Sequence, residues 1–303
     1  MPLICFASPK GGVGKTTLAA NIADALRRDG RRVLAMDFDP QNTLRLHFGV
    51  PLNDHAGFLT ELPKRPDWRA LTRQTASGVM LLPHGAIDIR GALGLSSALE
   101  RDPELLTAPM RAILSDPGLL VVADTPPGPS HALNLLAPMA SMVCTVLLAD
   151  ATSAALVPEI DTGRFLGSGT MAALFAGRLR VVLNQVDPSA RLSRAAAETV
   201  ARHLGPRLLG AVCRDENVAE ALACQRLILD LAPQSRAAED LKEIARGIQA
   251  ALPAAPEPFQ AGWGARGAAP WCIPVNGWRA CRSCGPGSAA RSRWWSGCWP
   301  LLR

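Results

Sequence analysis

The octet Lys10-Gly11-Gly12-Val13-Gly14-Lys15-Thr16-Thr17 dictates local fold more tightly than any other stretch of this chain. It is a phosphate-binding loop of the G-x-x-x-x-G-K-[ST] type with an extra lysine at its start. Such a loop needs a buried strand before it and a helix after it. The apolar run Leu3-Ile4-Cys5-Phe6-Ala7 precedes it, and a helical pattern from Thr16 to about Arg28 follows. Glycines 11, 12 and 14 let the backbone turn and approach phosphates with no Cβ in the way. The loop N–H groups and the helix N-terminus then face negative charge. Gly11, Gly12, Val13, Gly14, Lys15, Thr16 and Thr17 are therefore the expected cradle of a nucleoside triphosphate. Lys15 is placed to reach the β- and γ-phosphates, and the Thr16 hydroxyl to ligate Mg²⁺.

The rest of the chain supplies the sheet that such a loop requires. Apolar runs alternate with helical patterns over the first 252 residues, the signature of a mostly parallel sheet with helices on both faces. The predicted strands are 3–8, 32–37, 79–83, 118–124, 143–149, 179–184 and 208–213. The predicted helices are 16–28, 87–100, 104–115, 130–138, 154–167, 189–204, 215–223 and 236–251. The uninterrupted runs Leu119–Ala123 and Val143–Leu148 read as central strands buried on both faces. The length of 303 residues suits one large α/β domain, and 48% hydrophobic residues suffice for its core. No run of about 18 uncharged apolar residues occurs, so no transmembrane helix is expected. The chain enters its first strand with no basic segment or cleavage site, so no signal peptide is expected. Reduced cysteines in a cytoplasmic setting follow.

Charge placement separates the chain into two parts. The net charge is +6, of which +5 lies in residues 253–303. The first 252 residues are thus nearly neutral, which weakens any case for DNA binding from bulk charge. Residues 253–259 read as a Pro/Ala linker. Residues 260–303 contain no Asp, Glu or Lys but hold six of the seven tryptophans and four of the eight cysteines. The favoured residues of this tail all have GC-rich codons, which points to out-of-frame or read-through translation; a partner-binding tail is the alternative. Its cysteines offer only Cys281 and Cys284 at metal-pair spacing, half of what a zinc site needs. Cys5 and Cys144 fall in predicted strands and read as small core residues.

Two further segments carry carboxylates to strand ends. Ala35-Met36-Asp37-Phe38-Asp39-Pro40-Gln41 closes the second strand, and Asp124-Thr125-Pro126-Pro127-Gly128 closes the most apolar one. Ligands of open α/β sheets sit outside the carboxyl ends of strands. An Asp capping an apolar strand is costly to bury unless it is paired or linked to a metal.

With Lys10, these motifs resemble the deviant Walker A ATPases of the ParA/MinD family, which have the P-loop NTPase three-layer sandwich. The resemblance implies a homodimer with ATP sandwiched at the interface, where Lys10 contacts the partner's nucleotide. It implies that Asp39 orients or activates the attacking water and that Asp37 supports the Mg²⁺ shell. It also implies that Asp124 holds Mg²⁺ through water and that the Gly128 N–H reaches the γ-phosphate. By the same resemblance, Asn184, Arg214 and Asp215 are expected to contact adenine. The catalytic set is then Lys10, Lys15 and Asp39, and the metal set Thr16, Asp37 and Asp124.

Narrower likeness lies outside these motifs. Pro40-Gln41-Asn42-Thr43-Leu44-Arg45-Leu46-His47-Phe48-Gly49-Val50 carries asparagine where glycine usually follows D-P-Q. This stretch and Cys213–Ala223 resemble the bacterial cellulose-biosynthesis ATPases BcsQ (YhjQ). That likeness implies a slow, partner-stimulated ATPase that assembles or localises the cellulose synthesis and secretion machinery. It would act with other Bcs proteins at the cytoplasmic face of the inner membrane or at a cell pole, with no direct membrane insertion and no specific nucleic acid. A ParA-type partition ATPase that binds DNA nonspecifically as an ATP dimer is the alternative. A MinD-like membrane switch would need a terminal amphipathic helix, and Glu239, Asp240 and Glu243 dilute the charge of helix 236–251. An ATP-clamped scaffold that scarcely hydrolyses is the non-enzymatic reading.

Overall fold

The computed structural model describes residues 2–166 and 175–252. Eight strands form one sheet in the order β3-β4-β2-β5-β1-β6-β7-β8. They are β1 Leu3–Ala7, β2 Arg32–Asp37, β3 Arg73–Gln74, β4 Met80–Leu82, β5 Leu119–Asp124, β6 Met142–Leu148, β7 Leu179–Val186 and β8 Leu208–Cys213. All neighbours are parallel except β3 and β4. Seven of these strands match the apolar runs of the sequence. The eighth, β3, is a two-residue antiparallel edge too short to show periodicity.

Side-chain alternation builds three layers. Leu3, Cys5 and Ala7 of β1 enter one apolar cluster, while Ile4 and Phe6 enter another. In β5, Leu119, Val121 and Ala123 go to the first cluster, and Leu120 and Val122 to the second. The first face is covered by helices Ile89–Arg101, Glu104–Leu114, His131–Leu136, Ala151–Asp161 and Arg191–Leu204. The second is covered by helices Lys15–Arg28, Glu216–Ala223 and Arg236–Ala251. A sheet buried on both faces leaves no polar side, which is why its strands read as continuous apolar runs. Cys5 and Cys144 are fully buried, and burial pushes both thiols up to about 12, so they are inert core residues.

Caps set the helix starts more sharply than periodicity does. Asp88 accepts from the Gly91 N–H, and Ser130 from the Leu133 N–H. Asp150 accepts from the Ser153 N–H, so that helix begins at Ala151, ahead of the expected 154. It ends at Asp161, and a tighter turn follows at Arg164–Leu166. Four one-turn helices at Leu44–His47, Phe58–Glu61, Trp68–Leu71 and Ile228–Leu231 were not expected, since one turn carries no repeat to detect. The Pro/Ala linker, the 260–303 tail and its cysteine pair lie outside the described residues.

Helix Arg236–Ala251 buries Leu241, Ile244 and Ile248 in the second cluster. Its apolar face is thus spent on the sheet and on helix Lys15–Arg28. Among the described residues no helix is long and apolar enough to cross a membrane. Ile244→Ala should lower unfolding free energy by about 2–5 kcal/mol, read by urea denaturation. A change under about 0.5 kcal/mol would mean that this face is not core.

Candidate functional site

Strand order brings the chemistry together. β1 runs between β5 and β6, so the loop after it lies between the ends of those two strands. β2 pairs with β5 in a register that sets Asp37 beside Asp124. The loop, the two acidic strand ends and the end of β6 therefore share one crevice at the carboxyl edge of the sheet.

The loop has the backbone that its glycines foretell, with one departure. Gly12 and Gly14 have φ of 74° and 82°, a region that side chains rarely enter. A Cβ on Gly14 would lie 2.3 Å from Asn184 Nδ2. The generic pattern's first glycine is absent: Pro9 stands at that position. Gly11 and Gly12 are exposed, whereas Val13 is buried in the second cluster and anchors the loop. Thr16 and Thr17 open helix Lys15–Arg28, and the Thr17 carbonyl accepts from Asn21 Nδ2 at 2.8 Å.

Lys15 and Asp124 form the electrostatic centre. Lys15 Nζ lies 2.5 Å from Asp124 Oδ1, with the lysine side chain 6% exposed and the aspartate fully buried. Burial pushes the Asp124 carboxyl above its ordinary range, while Lys15 and the Thr16 hydroxyl beside it oppose that shift. Asp124 Oδ2 is buried with no hydrogen-bond partner. An orphaned carboxylate oxygen in a dry site is expensive unless a cation or bound water completes it.

Asp37 is fully buried as well. Its Oδ1 accepts from the Asp39 N–H at 2.9 Å and its Oδ2 from the Leu44 N–H at 3.1 Å. Burial, then the charge of Asp124, raises its pKa well above the usual carboxylate value, against the pull of those two N–H groups. Asp37 thus shapes the turn carrying Asp39 and sits behind Asp124. Asp39 is buried too, and its Oδ1 accepts from the Gln41 N–H at 3.0 Å. The turn closes on Asn42, whose φ is 52°. Asparagine is among the few residues besides glycine that enter this left-handed region readily, which accounts for its presence after D-P-Q.

The remaining expected residues are placed as follows. Lys10 is half-buried, with its Nζ 2.6 Å from Asp150 Oδ2. Gly128 has φ of 71°, and its N–H donates to the Ser8 carbonyl at 2.7 Å. In this structure the N–H is therefore committed to the residue that follows β1. Asn184 ends in the crevice, its Nδ2 donating to the Val13 carbonyl at 2.8 Å. Arg214 is exposed after β8. Asp215 spends its carboxylate on structure: Oδ1 accepts from the Asn217 N–H at 3.0 Å and Oδ2 from the Ala237 N–H at 3.2 Å. Two neighbours of the site went unnoticed in the sequence. Asp150 could have been found as a helix cap, three residues before Ser153. Buried His84, whose Nδ1 lies 3.0 Å from the Gly85 carbonyl, gave no signal.

The donor set fits a nucleotide-bound Mg²⁺ rather than a caged metal. Among the described residues no three His, Cys, Asp or Glu side chains group as a metal cage. Mg²⁺ in nucleotide sites takes one or two carboxylates and fills its shell from phosphate and water. The Thr16 hydroxyl and the open oxygen of Asp124, with the Asp37 carboxyl beside it, match that demand.

A family model described as cellulose biosynthesis protein BcsQ matches residues 1–247. The chain is 31% identical over 261 residues to the chromosome-partitioning ATPase Soj of Thermus thermophilus, covering 82% of this chain and 95% of Soj. It is 26% identical over 245 residues to the cellulose biosynthesis protein BcsQ of Salmonella typhimurium, covering 81% and 93%. Its fold is that of the Pyrococcus furiosus cell division ATPase MinD, with a TM-score of 0.65 at 22% identity, covering 82% and 98%. MinD from Pyrococcus horikoshii, solved with Mg-ADP, gives 0.64 at 21%, covering 82% and 95%.

Gly14→Ala should abolish nucleotide binding, because it strains a left-handed backbone and drives a methyl into the Asn184 amide. Titration with a fluorescent ATP analogue reads this. Retained affinity within about threefold, some 0.7 kcal/mol, would show that the loop has another binding geometry.

Proposed function

This chain belongs to the BcsQ cellulose-biosynthesis family of ParA/MinD-type ATPases, and from that premise we propose that it is an ATP-hydrolysing dimeric switch. In this reading it assembles or localises the bacterial cellulose synthesis and secretion machinery. The observation that carries the nucleotide chemistry is the buried Lys15–Asp124 pair with its bare second oxygen. The cellulose role rests on the family match over residues 1–247 and on the Salmonella relative.

The chain's own residues perform defined tasks. An arriving triphosphate offers Lys15 several negative oxygens in exchange for one, so the ammonium moves from Asp124 to the phosphates. Asp124 and the Thr16 hydroxyl would then hold the metal ion, with Asp37 supporting them. When bound, Mg²⁺ supplies charge neutralisation and orientation of the β- and γ-phosphates. Asp39, fixed by the Gln41 N–H, orients the water that attacks the γ-phosphorus. That water's oxygen forms the new bond to phosphorus while the bond to the β-phosphate oxygen breaks. Positioning and fixed charge, not covalent chemistry, carry such a reaction. Lys10 of a second subunit stabilises the charge on the γ-phosphoryl oxygens, so an isolated monomer turns over slowly. Asn184, with Arg214 and Asp215, borders the adenine.

The γ-phosphate also biases the segments 37–41 and 124–128. The Gly128 N–H leaves the Ser8 carbonyl to reach it, and hydrolysis lets the N–H return. Partners then distinguish the ATP state from the ADP state. The chain acts in the cytoplasm and is recruited to the inner membrane or a pole by other Bcs proteins. The match to Soj favours one second reading, a partition ATPase that binds DNA as an ATP dimer. ATP-dependent retention on nonspecific DNA, falling steeply with salt, would select it. Deletion that removes cellulose output and leaves chromosome segregation normal selects the first.

Lys15→Ala should abolish ATP binding. Asp39→Ala should bind ATP, hydrolyse it at least 10²-fold more slowly and accumulate as a dimer in light scattering. Unchanged turnover in the Asp39 variant removes that residue from the mechanism.

A further inference from the structure

The stretch that carries asparagine after D-P-Q also holds a buried arginine. Asp39 Oδ1 accepts from the Gln41 N–H, so the direction of this carboxylate depends on how firmly the turn around it is held. One anchor of that turn is Asp37, which accepts from the Asp39 and Leu44 N–H groups. A second anchor is Arg45. Its Nε donates to the Asn42 carbonyl at 3.1 Å, and the Asn42 N–H donates to the Asp39 carbonyl at 2.8 Å. Its Nη1 donates to the carbonyls of Pro51, Leu52 and Asp54 at 3.2, 3.3 and 2.5 Å.

Arg45 is 7% exposed, and its side-chain hydrogen bonds all end on carbonyl oxygens. A buried guanidinium without a paired carboxylate is costly, and an apolar side chain would fill the same space without that penalty. An apolar side chain cannot join two backbone segments. The planar fork does, with Nε on the turn and Nη1 on loop 51–54. That loop is itself held, because the Asp54 carboxylate accepts from Arg73 Nε at 2.7 Å and Nη2 at 3.0 Å on edge strand β3. The Asn42 amide adds nothing to the tie, since its Nδ2 and Oδ1 are buried without a partner. Contacts therefore run without a break from β3 through Asp54, Arg45 and Asn42 to Asp39.

We propose that Arg45 is a positioning residue for Asp39: its guanidinium clamps the turn at Asn42 and so fixes the direction of the Asp39 carboxylate toward the attacking water. This rests on the reading of Asp39 as the residue that orients that water. Among the described residues, none of the Arg45 hydrogen bonds reaches the phosphate loop. Loss of the clamp should therefore act on turnover and leave nucleotide affinity in place.

The test uses the full chain with Mg²⁺ and measures ATP turnover and affinity for a fluorescent ATP analogue separately. Arg45→Lys keeps the charge, but one ammonium has no fork to hold both segments. It should lower kcat about 10- to 100-fold, the effect of a small misplacement at a reacting centre, with affinity kept within about threefold. In the Asp39→Ala background the same substitution should lower kcat no further, as for residues that act as a unit. Should Arg45→Lys unfold in a thermal melt, Arg73→Ala takes its place. That variant frees loop 51–54 from β3, leaves Arg45 intact and should lower kcat about 2- to 5-fold. An unchanged kcat in the folded variant overturns the positioning role, with Asp39→Ala still deficient. So does an equal loss in the Asp39→Ala background, or a loss that shows only as weaker binding. An Asp39→Ala protein that turns over like the parent overturns both the reading of Asp39 and this one.

Discussion

Lys15 and Asp124 meet at the centre of the sheet's carboxyl edge, and the rest of the site is arranged around that contact. Desolvating two charges is costly, and one hydrogen bond between them does not repay it fully. The pair holds because both residues are delivered by rigid elements. Lys15 opens a helix packed on the sheet, and Asp124 ends a strand that pairs on both sides. A partly satisfied charge held this way is stored affinity. The open oxygen of Asp124 and the movable ammonium of Lys15 are what a metal-bound triphosphate would satisfy.

The packing behind the crevice makes this affordable. Alternation in β1, β5 and β6 sends side chains into two apolar clusters, so neither face of the sheet can slide without exposing core. Register then places Asp37 against Asp124 within one ladder. Burial, and then repulsion from Asp124 beside it, holds the Asp37 carboxyl well above its usual pKa. The backbone N–H groups of Asp39 and Leu44 offset part of that strain and bend the chain into the turn that carries Asp39. Positive φ at Asn42, Gly12 and Gly14 keeps that turn and the phosphate loop compact.

Contacts that link the loop to its surroundings distinguish a resting site from a working one. Gly128 rests on Ser8, Lys10 rests on Asp150, and Lys15 rests on Asp124. Each is a polar group expected to bind phosphate and here satisfied by protein instead. In the proposed mechanism nucleotide binding would exchange partners rather than create contacts from nothing. That exchange would give the γ-phosphate leverage over segments far apart in the chain.

Much of this was legible in the residues themselves. Seven strands, the strand–loop–helix unit and the identities of Lys15, Asp39 and Asp124 follow from local pattern, because apolar runs, glycine spacing and strand-end acids act over a few residues. The two-residue β3 and the one-turn helices were not legible, since they are too short for a repeat. Asp215 is read as a base contact from resemblance, and its side chain also caps one helix and braces another, a double duty that no spacing reveals. Local residue patterns already dictate a phosphate loop on a parallel sheet with acids beside it. Which charges share a crevice, and which are already paired, Lys10 with Asp150 and Lys15 with Asp124, emerges from the folded chain. Those pairings join residues more than a hundred positions apart, and strand order alone sets their distance.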